Sequence, residues 1–163
     1  MGAGKSTLGR QVARRLHLPF HDADIELERR LGVTIATMFE IEGEAAFRDR
    51  EEALIDELTS MRHIVLATGG GAVTRESSRR HLKERGTVLY LHASPETLWD
   101  RVRHSRNRPM LKVEDPRARI AALYAERDAL YREIADEIVE SDRDTVMRFA
   151  SSLAPGLTES GAS

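Results

Sequence analysis

Leu8, Val12 and Leu16 recur at i, i+4 and i+8, which predicts a helix over 5–16 with one apolar stripe. Leu18-Pro19-Phe20-His21 reads as a short extended piece that Pro19 opens. A helix over 24–31 is expected to end at Gly32, a fitting residue just past a helix terminus. A short helix over 34–40 and a longer one over 44–60 follow, the second with Phe47, Leu54, Ile55 and Leu58 inward. Ile64-Val65-Leu66-Ala67 is an unbroken apolar run of strand length, stopped by Gly69-Gly70-Gly71. Residues 75–84 read as a helix, and Thr87-Val88-Leu89-Tyr90-Leu91 as a second strand rich in β-branched and aromatic residues. Ser94-Pro95-Glu96 opens the next helix, with Ser94 as N-cap and Pro95 in its first position. Residues 105–115 are irregular and polar, a long helix runs from Pro116 to about Ala135, Glu137–Glu140 is a last short strand, and 144–153 is a closing helix. Ala154 to Ser163 is expected to be a disordered tail on a single domain of residues 1–153.

Strands that alternate with helices and read as continuous apolar runs imply a parallel sheet covered on both faces, an α/β three-layer α/β/α sandwich. Ligands in such sheets bind at the carboxyl ends of the strands, where the Gly and Asp residues of this chain lie. The length of 163 residues suits one domain. The absence of cysteine excludes disulfides, thiolate zinc sites and a cysteine nucleophile. No apolar run approaches the roughly 18 residues of a membrane span, and the start is not a secretory signal, so a cytoplasmic protein with no membrane partner is expected. A net charge of −2 speaks against broad nucleic-acid binding. A monomer is expected. Only three lysines are present (Lys5, Lys83 and Lys112), so a lysine at a motif position is informative where an arginine is not. The six histidines show no metal-ligand spacing, and Trp99, Tyr124 and Tyr131 sit at spacings typical of core packing.

Gly2-Ala3-Gly4-Lys5-Ser6-Thr7 matches the second half of the phosphate-loop pattern G-x-x-x-x-G-K-S/T. Glycines let backbone N–H groups curl around phosphate oxygens, and the helix that starts at Lys5 points its positive end at them. Lys5 would reach the β- and γ-phosphates, and the Ser6 hydroxyl would face Mg²⁺. The first glycine of the pattern would lie ahead of Met1. The apolar strand that feeds such a loop, central in this kind of sheet, has no counterpart in the sequence. The first strand is therefore expected to be missing, and a catalytically impaired fragment is one reading.

Asp22 and Asp24 sit two apart after an extended segment and share a face, which suits one to a metal and the other to a substrate hydroxyl; both also suit ordinary helix capping. Gly69-Gly70-Gly71 offers bare backbone to a ligand, or a flexible turn. Arg48 and Glu51, at i and i+3, read either as an anion-binding fork held by a carboxylate or as surface charge. Arg101, Arg103, His104, Arg106 and Arg108 form a basic stretch leading into 105–115, either a lid over ATP or a solvated helix end.

In this order, GAGKST, Asp22-x-Asp24, GEAAFRDRE with Arg48, ATGGGAV, the RPML segment at Arg108 and YAERDALY with Arg127 resemble the shikimate kinase family, from Gly2 to roughly Arg143. The resemblance implies a P-loop NTPase fold of the nucleoside-monophosphate-kinase type. It implies ATP-dependent, Mg²⁺-assisted phosphorylation of the 3-hydroxyl of shikimate, a step in aromatic amino-acid biosynthesis. By that likeness Gly2, Ala3, Gly4, Lys5, Ser6 and Thr7 hold the nucleotide phosphates, Ser6 and Asp22 the metal, and Asp24 the attacking hydroxyl. Arg48, Arg127, Gly69, Gly70 and Gly71 hold shikimate. Arg108 steadies the transferring phosphoryl group, and Arg101 and Arg143 border the adenine. A gluconate kinase-like enzyme of the same architecture is the alternative; it would not require Arg48 and Arg127 together.

Overall fold

The computed structural model describes residues 2–104 and 113–159, with side chains to 153. Helix α1 (Lys5–Leu16) is followed by β1 (Phe20–Asp22), α2 (Ala23–Leu31), α3 (Ile35–Ser60) and β2 (Val65–Ala67). A 3₁₀ turn (Ala72–Thr74) leads to α4 (Glu76–Arg85), β3 (Leu89–His92), α5 (Pro95–Val102), α6 (Pro116–Ile134), β4 (Glu137–Glu140) and α7 (Arg143–Glu159).

The helix starts follow their capping residues. Ser94 Oγ accepts from Thr97 N at 3.2 Å at the start of α5, and Asp115 Oδ1 accepts from Ala118 N at 2.9 Å at the start of α6. The helices expected at 34–40 and 44–60 form one element broken at Gly43, whose φ of 83° and ψ of 174° lie outside the helical region. Glycine alone adopts that conformation without strain, so the break falls there and re-aims the long second half. The 3₁₀ turn after the triple glycine was not expected. The closing helix is longer than the expected 144–153 and passes Ala154 to end at Glu159. Residues 160–163 of the expected tail, and 105–112 of the expected lid, lie outside the described residues.

The strands form two parallel pairs rather than one continuous sheet. β1 pairs with β2 (Phe20 opposite Val65, Asp22 opposite Ala67), and β3 pairs with β4 (Leu89 opposite Glu137, His92 opposite Glu140). Successive residues of β2 face opposite layers: Leu66 packs on the core of α2 and α3, Val65 on the core of α1 and α7. Leu89 and Leu91 of β3 pack on that same α1–α7 layer, so both pairs lie under one roof. Between β2 and β3 is a partly open pocket of about 1180 Å³, lined by Val65 and Leu66 on one side, Leu89 and Leu91 on the other, and Leu8 and Val146 from the helices, and reaching Lys5, Gly69 and Arg127 at the site edge. Among the described residues no strand occupies it.

A closely packed core lies on the other side. Ala23, Leu27, Met38, Phe47, Leu54, Ile55 and Leu58 close around α2 and α3, with Ile55 fully buried. This core fixes the helix stripe that carries the polar residues of the site. Among the described residues no helix is long and apolar enough to cross a membrane.

Candidate active site

The carboxyl ends of β1 and β2 and the turn into α1 meet at one edge. Gly2 (φ 75°) and Gly4 (φ 79°) both take the left-handed conformation around the buried Ala3. Successive turned amides of this kind make an anion-binding concavity. Gly2 also has no room for a side chain, since a Cβ would stand 2.8 Å from Val102 Cγ1 of α5. Gly4 caps α1, so Lys5 and Ser6 fall in its first turn, half-buried, with Thr7 exposed beside them.

Asp22 serves two purposes at once. Its Oδ1 accepts from Asp24 N (3.1 Å) and Ile25 N (3.3 Å), capping α2, while its Oδ2 accepts from Ser6 Oγ. The capping reading and the metal reading of this aspartate are thus compatible. A hydroxyl and a carboxylate oxygen, both hard donors, face each other at the mouth of the phosphate loop and fit Mg²⁺. Among the described residues no three His, Cys, Asp or Glu side chains gather as a metal-sized cluster.

Arg101 ties the loop to the far pair of strands. Its Nη1 donates to Gly2 O (3.3 Å) and Ser141 Oγ (2.6 Å), and its Nη2 to Ser141 O (3.2 Å). Arg143 lies exposed two residues beyond, at the start of α7. Arg108 lies outside the described residues.

Across from the loop, the inward stripe of α3 changes from apolar to charged. Arg48 and Glu51 continue the face of Leu54, Ile55 and Leu58, and are 7% and 1% exposed. Arg48 Nη1 donates to Glu51 Oε2 at 2.6 Å, and its Nη2 to Glu44 Oε1 at 3.2 Å. Arg127, also 7% exposed, occupies the inward stripe of α6 with Ile120, Leu123 and Ile134. Arg48 Nε, Arg127 Nε and Glu51 Oε1 are buried and make no hydrogen bond within the protein. Buried charged atoms of this kind ordinarily find partners, so these point to a polar ligand.

The triple glycine runs between these groups. A Cβ on Gly69 would stand 2.8 Å from Asp24 Oδ1 and closer still to Glu51, and one on Gly71 would collide with the Arg48 guanidinium. Here glycine is a requirement of close approach. Burial pushes the Asp24 carboxyl above its usual range, and neighbouring Asp22 adds to the shift; Lys5 and Arg48 oppose it. Burial likewise raises Glu51, against the pull of Arg48. Asp24, Lys5, Arg48, Glu51 and the glycines thus form one electrostatic unit.

Tyr131 is the residue that sequence reasoning placed only in the core. Its hydroxyl donates to Gly70 O. The available signal was its position four residues after Arg127, on a helix face where a buried charge already marks the site.

A phosphate-binding turn running into a helix, with carboxylates at the adjoining strand ends and helices over parallel strands, defines a P-loop kinase of small molecules. A model of the shikimate kinase family matches residues 1–155, and the chain belongs to that family. A shikimate kinase of Cupriavidus pinatubonensis is 57% identical over 161 residues, covering 99% of this chain and 84% of that protein. One from Nitrosospira multiformis is 52% identical, covering 97% and 81%. The structure of an Acinetobacter baumannii shikimate kinase in complex with shikimate superimposes with a TM-score of 0.88 at 42% identity, covering 100% of this chain and 91% of that one. A gluconokinase structure from Sinorhizobium meliloti (TM-score 0.62, 18% identity, 98% and 92% covered) shares the fold.

Proposed function

We propose that this ATP-dependent small-molecule kinase phosphorylates shikimate on its 3-hydroxyl, with the substrate carboxylate between Arg48 and Arg127. The observation that carries the reading is the pair of buried guanidiniums whose Nε groups make no hydrogen bond within the protein, Arg127 Nε having only the exposed Glu126 carboxylate at 3.8 Å, set opposite a phosphate loop. Two Arg forks remote from the phosphates suit a carboxylate-bearing acceptor. Gluconate also carries a carboxylate, so the two arginines favour an anionic acceptor, and the choice of shikimate follows the chain's membership of the shikimate kinase family.

Asp24 orients the acceptor hydroxyl and takes its proton as the oxygen attacks the γ-phosphorus. The bond to the β-phosphate oxygen breaks, and ADP leaves with that electron pair. A buried carboxyl with a raised pKa is a better proton acceptor than an ordinary one near neutrality. Lys5 and the turned amides around Gly2 and Gly4 neutralise charge on the phosphates, and the role assigned to Arg108 is the same at the transferring group. Ser6 and Asp22 would hold Mg²⁺, which neutralises charge on the β- and γ-oxygens when bound. Gly69, Gly70 and Gly71 admit the substrate ring and offer it backbone N–H groups. Arg101 and Arg143 border the adenine, and Arg101 also fixes the loop. The reading takes the enzyme as a cytoplasmic monomer with shikimate and ATP as its partners.

Coupled measurement of ADP release by the purified chain tests this. Turnover is expected with shikimate and not with gluconate. Activity on gluconate alone overturns the substrate assignment, and a folded chain inert toward both contradicts the reading as a whole.

A further inference from the structure

We infer that Tyr131 is a positioning residue for the acceptor, its hydroxyl clamping the Gly70 carbonyl so that the Gly71 N–H faces the substrate. The inference rests on the shikimate reading of the site above.

All three carbonyls of the triple glycine are engaged within the protein. Gly69 O accepts from Ala72 N (3.2 Å), and Gly71 O from Thr74 N (3.0 Å) and Thr74 Oγ1 (2.7 Å). Those bonds belong to the local 3₁₀ turn. The Gly70 carbonyl is the one held from a different element, by Tyr131 of α6, 61 residues away. In a trans peptide the C=O of one residue and the N–H of the next point in opposite directions. Fixing Gly70 O toward α6 therefore turns the Gly71 N–H away from α6. A glycine run has the widest choice of conformations of any sequence, so without an anchor this peptide plane can rotate.

Tyr131 is itself well anchored. Its ring lies 4.9 Å from the Tyr90 ring, Tyr90 Oη donates to Asp128 Oδ1 at 2.9 Å, and Arg132 Nε donates to Asp128 Oδ2 at 2.8 Å. Burial raises its pKa, so the hydroxyl keeps its proton and remains a donor. Arg127 stands one turn earlier on the same helix, so α6 supplies both a carboxylate fork and the clamp that sets the glycine loop against it.

The test is Tyr131→Phe, which keeps the ring and its stacking and removes the hydroxyl that donates to Gly70 O and neighbours Arg127. Shikimate affinity by calorimetry, both KM values, kcat and the thermal midpoint are read together, with Arg127→Lys measured alongside. For Tyr131→Phe the expected result is a weakening of shikimate binding of about three- to tenfold, the size of one hydrogen bond, with kcat within about twofold and the KM for ATP unchanged. Unchanged shikimate affinity overturns the inference. So does a large drop in thermal midpoint with kcat and both KM values shifting together, since the tyrosine is then only core packing. Arg127→Lys separates the two levels. If it also leaves shikimate affinity intact, the underlying reading of the site fails; if it alone weakens binding, only the role of Tyr131 fails.

Discussion

The acceptor half and the nucleotide half of this molecule are built differently. On the acceptor side, Arg48, Glu51 and Asp24 rest on a packed apolar core of α2 and α3 and are interlocked with a glycine run that leaves no room for a side chain at Gly69 or Gly71. On the nucleotide side, the phosphate loop sits beside a partly open pocket of about 1180 Å³ that also reaches Gly69, Gly70 and Arg127, and its neighbours β2 and β3 each have one edge without a ladder partner among the described residues. Arg101 spans that side through Gly2 O and Ser141. The lesson is that acceptor recognition is anchored by packing. The loop is held mainly by its own glycine geometry, by Ser6–Asp22 and by the Arg101 bridge.

The largest expected effect is on chemistry at the boundary of the two halves. Asp24→Asn should lower kcat by about 10²–10⁴-fold, the range for loss of a general base, with less change in the KM for shikimate. A loss confined to KM would move Asp24 from the reacting hydroxyl to simple binding.

Next is the packing contrast itself. Ile55→Ala should destabilise the chain by about 2–5 kcal/mol, as expected for a fully buried aliphatic side chain. Leu91→Ala, at a half-buried position on the pocket, should fall below that range, because less of its surface leaves water on folding. Equal values in denaturant titrations would erase the distinction between the halves.

A third and smaller effect separates the halves functionally. Arg101→Ala removes the bridge from the loop to Ser141 and should raise the KM for ATP by about tenfold, roughly the worth of charge-assisted hydrogen bonds at a partly exposed site. The affinity for shikimate should not change. A parallel loss of shikimate affinity would mean that the two sites are coupled through this arginine.

The smallest effect is in pH dependence. Because burial raises the Asp24 pKa, the acid limb of kcat/KM should lie above the ordinary carboxylate value of 3.8. Activity falls as pH drops through that limb, because the base must be ionised. Stability moves in the opposite sense. The folded protein holds this proton more tightly than the unfolded chain, so the contribution to stability is full below the ordinary pKa and is lost as pH rises through the raised one. An acid limb at or below 3.8 would contradict the buried environment of Asp24.

Local features were the most legible in the sequence. Ser94 and Asp22 as caps, Gly32 at the end of α2 and the strand at Glu137–Glu140 depend on near neighbours, and all occur as expected. Arg48 and Glu51 were readable as an i,i+3 pair, but their burial was not, because it depends on which face of α3 meets the core. The break at Gly43 was anticipated only as a gap between two helices; its backbone angles follow from how the two halves pack. The division of the strands into two pairs, the Arg101 bridge and the Tyr131–Gly70 bond are contacts between distant residues, and no local pattern encodes them.

The most direct test of the acceptor site is calorimetric titration of the chain with shikimate and, separately, with its methyl ester, both without nucleotide. Two buried guanidinium forks predict that shikimate binds and that esterifying its carboxylate weakens binding by roughly a hundredfold or more, since charge-assisted bonds to both arginines are lost. Equal affinity for acid and ester would contradict the assignment of Arg48 and Arg127 to the substrate carboxylate.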